Sequence, residues 1–386
     1  MLSPQKYLLY MFVPAIVVAF FLSVGYLSLM RTGELLSPDA IAERQWKKDS
    51  KYGAAIQALA FQHKLSLYRK IKPKIVTMGS SRAMQFQANS FSKSFINVGG
   101  ATSGPIEGLA LAKGMLPHHK PDIIILTVDY WWLNDNYNEP AAQMHHDRYL
   151  DEVPILLDIL IKPWVWLIEK KVTVKEFIYL LSQEHDSVGA SAILREDGVD
   201  KYGTHYYTSM TRGVRKHEDY EFNKTLRSIE QNKKIYVPSD HISETRRDQL
   251  LEFFEYITSQ GITLITVLPP MSDYAVKTMT EDGGYTYIPK LRDWLKTTGL
   301  EHYDYHNASS LGSDDCEFVD GNHGGAILYM RMLNDMSQKS QTTLSEYLEL
   351  DFIKKTIVEK KGYATYPTDG EIDFLNIDCT RNQNDK

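Results

Sequence analysis

Cysteine is nearly absent: Cys316 and Cys379 are the only two in 386 residues. That rules out a disulfide framework and leaves two arrangements, one disulfide in an oxidising compartment or two thiols in a reducing one. If paired, they close a loop of about 60 residues, for which chain entropy gives up to about 4 kcal/mol. Basic runs interleaved with aromatics are missing, and the formal charge is −6, so nucleic acid is not an expected partner. Internal repeats and low-complexity blocks are missing too, which excludes solenoid and array architectures. With 43% hydrophobic residues, the chain suffices for one large domain or two small ones.

Charge is missing from one long stretch. Tyr7 to Met30, YLLYMFVPAIVVAFFLSVGYLSLM, carries no charged residue over 24 positions. As a helix it would extend about 36 Å, enough for a hydrocarbon core of about 30 Å. A cleaved signal peptide would have a shorter apolar region and a small-residue cleavage site. Here the only such tripeptide, Ser23-Val24-Gly25, lies well inside the run. An uncleaved anchor is therefore the expectation, ahead of a cleaved signal or a buried helix. Lys6 precedes the span, whereas Arg31, Arg44, Lys47 and Lys48 follow it, a count that mildly favours a cytoplasmic body.

After an anchor over 1–31, residues 32–52 read as a polar stalk. Ala54 to Ile71 has helical spacing, with Ile56, Leu59, Leu65, Leu67 and Ile71 directed inward. Continuously apolar runs at Ile75–Met78, Phe95–Val98, Ile123–Val128 and Ile262–Leu268 suit strands covered on both faces. Helical segments lie at Pro105–Met115, Glu244–Gln260 and Tyr287–Thr298, and a fifth strand falls around His302–His306. Such alternation predicts an α/β fold with a parallel sheet over 53–340. Pro154 to Ser239 breaks the rhythm and reads as an insertion. Residues 341–386 form a C-terminal helix, Leu344–Val358, and an irregular tail.

Ligands of a parallel α/β sheet gather beyond the carboxyl ends of its strands. Strand one ends in Gly79-Ser80-Ser81-Arg82, strand two in Asn97-Val98-Gly99-Gly100, strand three in Asp129-Tyr130-Trp131-Trp132, and the fourth in Pro269-Pro270. A serine hydroxyl needs a base to accept its proton and donors to steady the oxyanion it creates. Ser81 sits where a strand turns, so its own N–H can serve as one donor, and Gly100, lacking a Cβ, permits the close approach of a second N–H. A base is available in FVDGNHGG, where Asp320 and His323 are close enough for the carboxylate to hold the imidazole. Taken singly, each motif is also an ordinary turn.

The order of these blocks resembles the SGNH (GDSL-like) hydrolase family over about Lys74 to Leu333, excluding the insertion. The resemblance implies a flavodoxin-like three-layer α/β/α fold. It also implies a Ser81–His323–Asp320 catalytic set and an oxyanion hole from the N–H groups of Ser81 and Gly100. Two positions depart from the family pattern: Ser80 replaces the usual aspartate, and Asp129 the usual oxyanion-donating asparagine. An ionised aspartate accepts hydrogen bonds and cannot take that role. It can instead orient Arg82, meet a sugar hydroxyl or cap a turn, and Arg82, Asp129 and Trp131 are the candidate substrate-binding residues.

Together with the anchor, GSSR and the Asp-aromatic block resemble membrane-tethered SGNH-like proteins of cell-envelope polymer acylation, such as the alginate O-acetylation and DltD-like groups. That likeness implies an extracytoplasmic body, an O-acyltransferase or esterase acting on an envelope polysaccharide or other acylated polymer, and a multispanning membrane-bound O-acyltransferase as partner. It implies no cofactor. The alternative is a catalytically inactive glycan-binding or scaffold protein on the same fold. Trp131, Trp132, Tyr202, His205, Tyr206 and Tyr207 can stack on sugar rings or simply pack. His145 and His146 have no third ligand at suitable spacing, so no metal is expected.

Overall fold

The computed structural model describes residues 4–55, 59–137, 157–368 and 370–379. Two compact units result, one from residues 1–59 and 150–201, the other from 60–149 and 202–386.

The first unit is built on α1 (Pro4–Thr32), within which Phe12–Thr32 is long and apolar enough to cross a membrane. Two further helices, α2 (Leu157–Ile168) and α3 (Val174–Ser182), pack along its second half. The close approach depends on Gly25, where a Cβ would stand 2.0 Å from the Leu160 carbonyl oxygen. Leu29 of α1 is buried among Ile159, Trp166, Phe177 and Leu180. A capping box formed by Thr173 and Glu176 starts α3.

The segment read as a stalk contains a helix, Pro38–Lys48, capped by Ser37. Its buried face carries Ile41, Ala42 and Gln45, and the Gln45 amide donates to the Val199 and Ser50 carbonyls. A buried polar residue with backbone partners leaves no apolar signature, which is why composition alone read this stretch as solvated.

The second unit carries a five-stranded parallel sheet: β1 (Ile75–Met78), β2 (Phe95–Asn97), β3 (Ile123–Thr127), β4 (Thr263–Leu268) and β5 (Glu301–Asp304), in spatial order β2-β1-β3-β4-β5. In register, Ile75 lies between Phe95 and Ile123, and Ile123 pairs with Thr263. Ile75, Ile123, Ile125, Ile265 and Val267 share one core with Ile327, Met330 and Leu333 of the Ala326–Lys339 helix. The alternate residues Val76, Ile124, Leu126 and Leu264 are buried as well, so both sheet faces are covered.

Several boundaries move. The helix expected from Ala54 begins at Ala60, and the C-terminal helix spans Leu350–Glu359 after a short turn at Leu344–Tyr347. The stretch read as one insertion does not form one body. Residues up to 201 belong with α1, whereas 202–239 belong with the sheet. Cys316 and Cys379 form a disulfide across 63 residues. It fixes the tail, in which Phe374 and Leu375 pack with Met210, Phe222 and Val319.

Candidate active site

At the end of β1 the backbone enters Gly79 with φ +146°, and a Cβ there would lie 1.9 Å from Thr127 Oγ1. Only glycine fits that turn. The Ser80 hydroxyl then accepts the Arg82 N–H at 3.2 Å and caps the short helical turn Ser81–Ala83. Ser81 is thereby held beyond the strand end. Its N–H has no acceptor among the described residues and is free to meet a developing oxyanion.

Ser81 Oγ lies 2.7 Å from His323 Nε2, and His323 Nδ1 lies 2.8 Å from both Asp320 carboxylate oxygens. Asp320 Oδ1 also accepts the N–H groups of Asn322 and His323, each at 2.8 Å, which closes the DGNH turn around the carboxylate. Burial alone would raise the Asp320 carboxyl, but the His323 charge and these hydrogen bonds hold it well below the usual carboxylate range. Burial alone would lower His323. The facing Asp320 charge and hydrogen bond outweigh it, so the imidazole is raised above its ordinary 6.5. The three residues expected to act together are therefore in relay geometry.

Gly100 does not match its expected role. Its N–H donates to the Ser80 carbonyl at 2.9 Å and the Gly79 carbonyl at 3.1 Å, and the residue does not line the cavity beside Ser81. Glycine is required there for another reason: φ is +82°, and a Cβ would stand 2.8 Å from Met84 Sδ. Gly100 thus braces the turn that carries Ser81 instead of offering a second donor.

Of the roles open to Asp129, the structure shows the pairing with Arg82 and not a place on the cavity wall. Neither side chain is exposed, neither lines the cavity, and they form an ion pair at 3.2 Å beneath it. Arg82 Nη2 donates to the carbonyls of Pro269 and Pro270 at 2.6 and 2.7 Å, and the guanidinium lies over the rings of Tyr130 and Trp131. One arginine therefore ties together the ends of β1, β3 and β4. Burial pushes the Asp129 carboxyl up, opposed by the Arg82 charge. Of the three substrate-binding candidates only Trp131 reaches the cavity.

That cavity, about 400 Å³, is walled on one side by Ser81, Trp131, Asp320, Asn322 and His323. The opposite wall comes from the segment after Tyr202 and includes Tyr207, Lys216, His217, Asp219, Lys224 and Tyr236. Asp219 fastens the two walls. Its carboxylate accepts the Thr225 N–H at 2.8 Å, the Thr225 hydroxyl at 2.7 Å and the Gly321 N–H at 2.8 Å. His217 Nδ1 accepts the Asp219 N–H at 2.9 Å, and burial pushes that imidazole down. Apart from Tyr207, this wall carries no motif that could have marked it in the sequence. Of the expected aromatic platform, Trp131 and Tyr207 line the cavity, whereas Trp132 is fully buried. Asn322, inside the DGNH stretch but given no role there, has a buried Oδ1 without a partner among the described residues.

Among the described residues, no group of three or more His, Cys, Asp or Glu is placed to hold a metal ion. His145 and His146 lie outside the described residues. Comparison with protein-family models, with curated proteins and with solved structures finds no match for this chain.

Proposed function

We propose that this chain is an SGNH-type serine acyltransferase or esterase, a three-layer α/β/α domain tethered by α1, acting on acyl groups, O-acetyl first among them, of a cell-envelope polysaccharide. The observation that carries this reading is the Ser81–His323–Asp320 relay, with contacts of 2.7 and 2.8 Å. His323 takes the Ser81 proton as Oγ attacks the acyl carbonyl, and the Ser81 N–H steadies the oxyanion. Collapse releases the donor oxygen, protonated by His323, and leaves an acyl-serine. A sugar hydroxyl or water then attacks that ester, with His323 again accepting the proton, and Ser81 is regenerated. The cavity's lining of both charge signs and aromatic rings, with Lys216, Glu218, Lys224 and Trp131, suits a polar polymer segment.

A disulfide supports an oxidising compartment and hence an extracytoplasmic body. In that setting a multispanning membrane-bound O-acyltransferase is the expected source of acyl groups. Turnover of an acetyl ester, measured with and without an oligosaccharide acceptor, tests the reading. Loss of both reactions in Ser81→Ala and His323→Ala supports it, and unchanged turnover in either variant refutes it.

A second reading, an inactive glycan-binding scaffold, is favoured by one observation: the Gly100 N–H is spent on the Gly79 and Ser80 carbonyls. Tight glycan binding with ester turnover equal to that of His323→Ala would select it.

A further inference from the structure

His217 lines the same cavity as Ser81, and none of the steps assigned to Ser81, His323 and Asp320 uses it. The residue is only 9% exposed, and its Nδ1 accepts the Asp219 N–H at 2.9 Å. A proton on Nδ1 would face that N–H directly. The ring is therefore neutral and carries its one proton on Nε2. Burial pushes the imidazole down, in the same sense. The Phe374 ring lies beside it, with centroids 5.7 Å apart, so one edge is tied to backbone and the ring is packed against the tail.

The Nε2–H has no acceptor among the described residues. Nε2 is also not one of the buried polar atoms that lack a partner, so this edge of the ring is open. In a residue otherwise enclosed, the open edge is the one that meets the cavity it lines. Charged neighbours on the same wall are engaged elsewhere. Lys224 pairs with Glu218, the Lys216 ammonium stands 4.1 Å from the centre of the Tyr220 ring, and the Asp219 carboxylate is filled by Thr225 and Gly321.

Electrostatics decide which oxygen suits this donor. After burial, the groups acting most strongly on the imidazole are the carboxylates of Asp320 and Asp219, ahead of the Arg215 guanidinium. An anionic oxygen against Nε2 is disfavoured beside two carboxylates, whereas a neutral hydroxyl or ether oxygen is not. Trp131 and Tyr207 line the same cavity and offer ring faces on which a sugar can stack.

We propose that His217 is a substrate-binding residue, whose Nε2–H donates to a neutral hydroxyl or ether oxygen of a polyhydroxylated substrate seated beside Ser81. This deepens the reading of Ser81 as nucleophile toward a carbohydrate ester and rests on it for the substrate class. The acyl group goes to Ser81, and the sugar that carries or receives it lies against the wall after Tyr202. The tail then has a part in recognition, because Phe374 packs on the ring that donates.

The test uses the full-length oxidised chain in detergent and two ester probes, an O-acetylated neutral tetrasaccharide and nitrophenyl acetate, which has an acyl group but no sugar. His217→Phe keeps a ring beside Phe374 and removes the donor, and His217→Gln restores an N–H. In His217→Phe, kcat/KM should fall about tenfold further for the tetrasaccharide ester than for nitrophenyl acetate, through KM, with partial recovery in His217→Gln. An equal fall for both esters would assign the residue to the fold alone and overturn the proposal. Binding is read separately in Ser81→Ala, from the nitrogen-15 resonance of the protonated His217 nitrogen, assigned by its loss in either His217 variant. It should shift with the neutral tetrasaccharide, and less with a tetrasaccharide of uronates. No shift with the neutral sugar, or a larger one with the uronate, would overturn the proposal even if Ser81 turns over esters. A shift in a chain whose wild type turns over neither ester would remove the nucleophile reading and leave His217 as a sugar-binding residue.

Discussion

Arg82 and Asp129 form an ion pair at 3.2 Å with both side chains wholly buried, directly beneath the serine that faces the cavity. The arginine also holds two carbonyls at the end of β4, so it is the node at which three strand ends meet. Removing one partner leaves a buried charge without compensation. Arg82→Met should cost about 3–5 kcal/mol, read from chemical denaturation followed by tryptophan fluorescence. Replacing both residues, as Arg82→Met with Asp129→Leu, should cost less than the single change. Equal stability of wild type and Arg82→Met would contradict the assigned role.

The relay makes a prediction about pH. His323 must be neutral to take the Ser81 proton, and Asp320 holds its titration above the ordinary 6.5. Thus kcat/KM for an ester should climb with pH and inflect above 6.5. Asp320→Asn removes the negative charge, so the inflection should move down while the maximum rate falls. An inflection that stays put would show that another group titrates.

The same pair affects stability in a defined window. Asp320 is depressed, so its contribution is present above the ordinary 3.8 and is lost as pH falls through its folded value. His323 is raised, so its contribution is complete below 6.5 and is lost as pH rises through its folded value. The stability difference between wild type and His323→Ala should therefore be largest between these two ordinary values. A difference independent of pH would rule out a charged pair.

Asp219 accepts two hydrogen bonds from Thr225 within the 215–225 wall and one from the Gly321 N–H, in the turn that carries Asp320 and His323. Asp219→Ala leaves three donors without a partner and should cost about 2–4 kcal/mol, with KM raised as the wall loosens. Thermal melting and steady-state kinetics measure the two effects, and an unchanged KM would contradict the fastening role.

Reduction of Cys316–Cys379 frees a loop spanning 63 residues and should lower stability by up to about 4 kcal/mol. The tail packs on Met210 and Val319, both of which line the cavity, so turnover should drop as well. Melting with and without reductant, compared with a Cys316→Ser/Cys379→Ser variant, checks this. Identical melting curves would show that the tail holds by packing alone.

Much of the sheet and three of the site residues were legible in the sequence, for physical reasons that also explain the failures. Strands buried on both faces are apolar throughout, so β1, β3 and β4 stood out. Ser81, Asp320 and His323 were legible because each follows a strand end or sits in a turn with a specific spacing. Gly100 was correctly placed but wrongly employed: a glycine demanded by φ +82° looks the same in sequence as one that opens room for a donor. Arg82 and Asp129 were candidate ligands as well as candidate partners of each other, because sequence does not show whether two charges face a cavity or cancel inside a core. The 215–236 wall is held by the hydrogen bonds of Asp219, which have no period to detect. The Pro38–Lys48 helix hid behind Gln45 in the same way.

The central claim is that Ser81 is the nucleophile and His323 its base, placed 2.7 Å apart. The most direct measurement is mass spectrometry of the full-length protein after brief exposure to an acyl-donating serine probe. The account predicts one adduct, on the peptide bearing Ser81, absent in Ser81→Ala and slowed by about 10²–10⁴-fold in His323→Ala. An adduct on any other residue, or labelling of Ser81 at the same rate without His323, would contradict it.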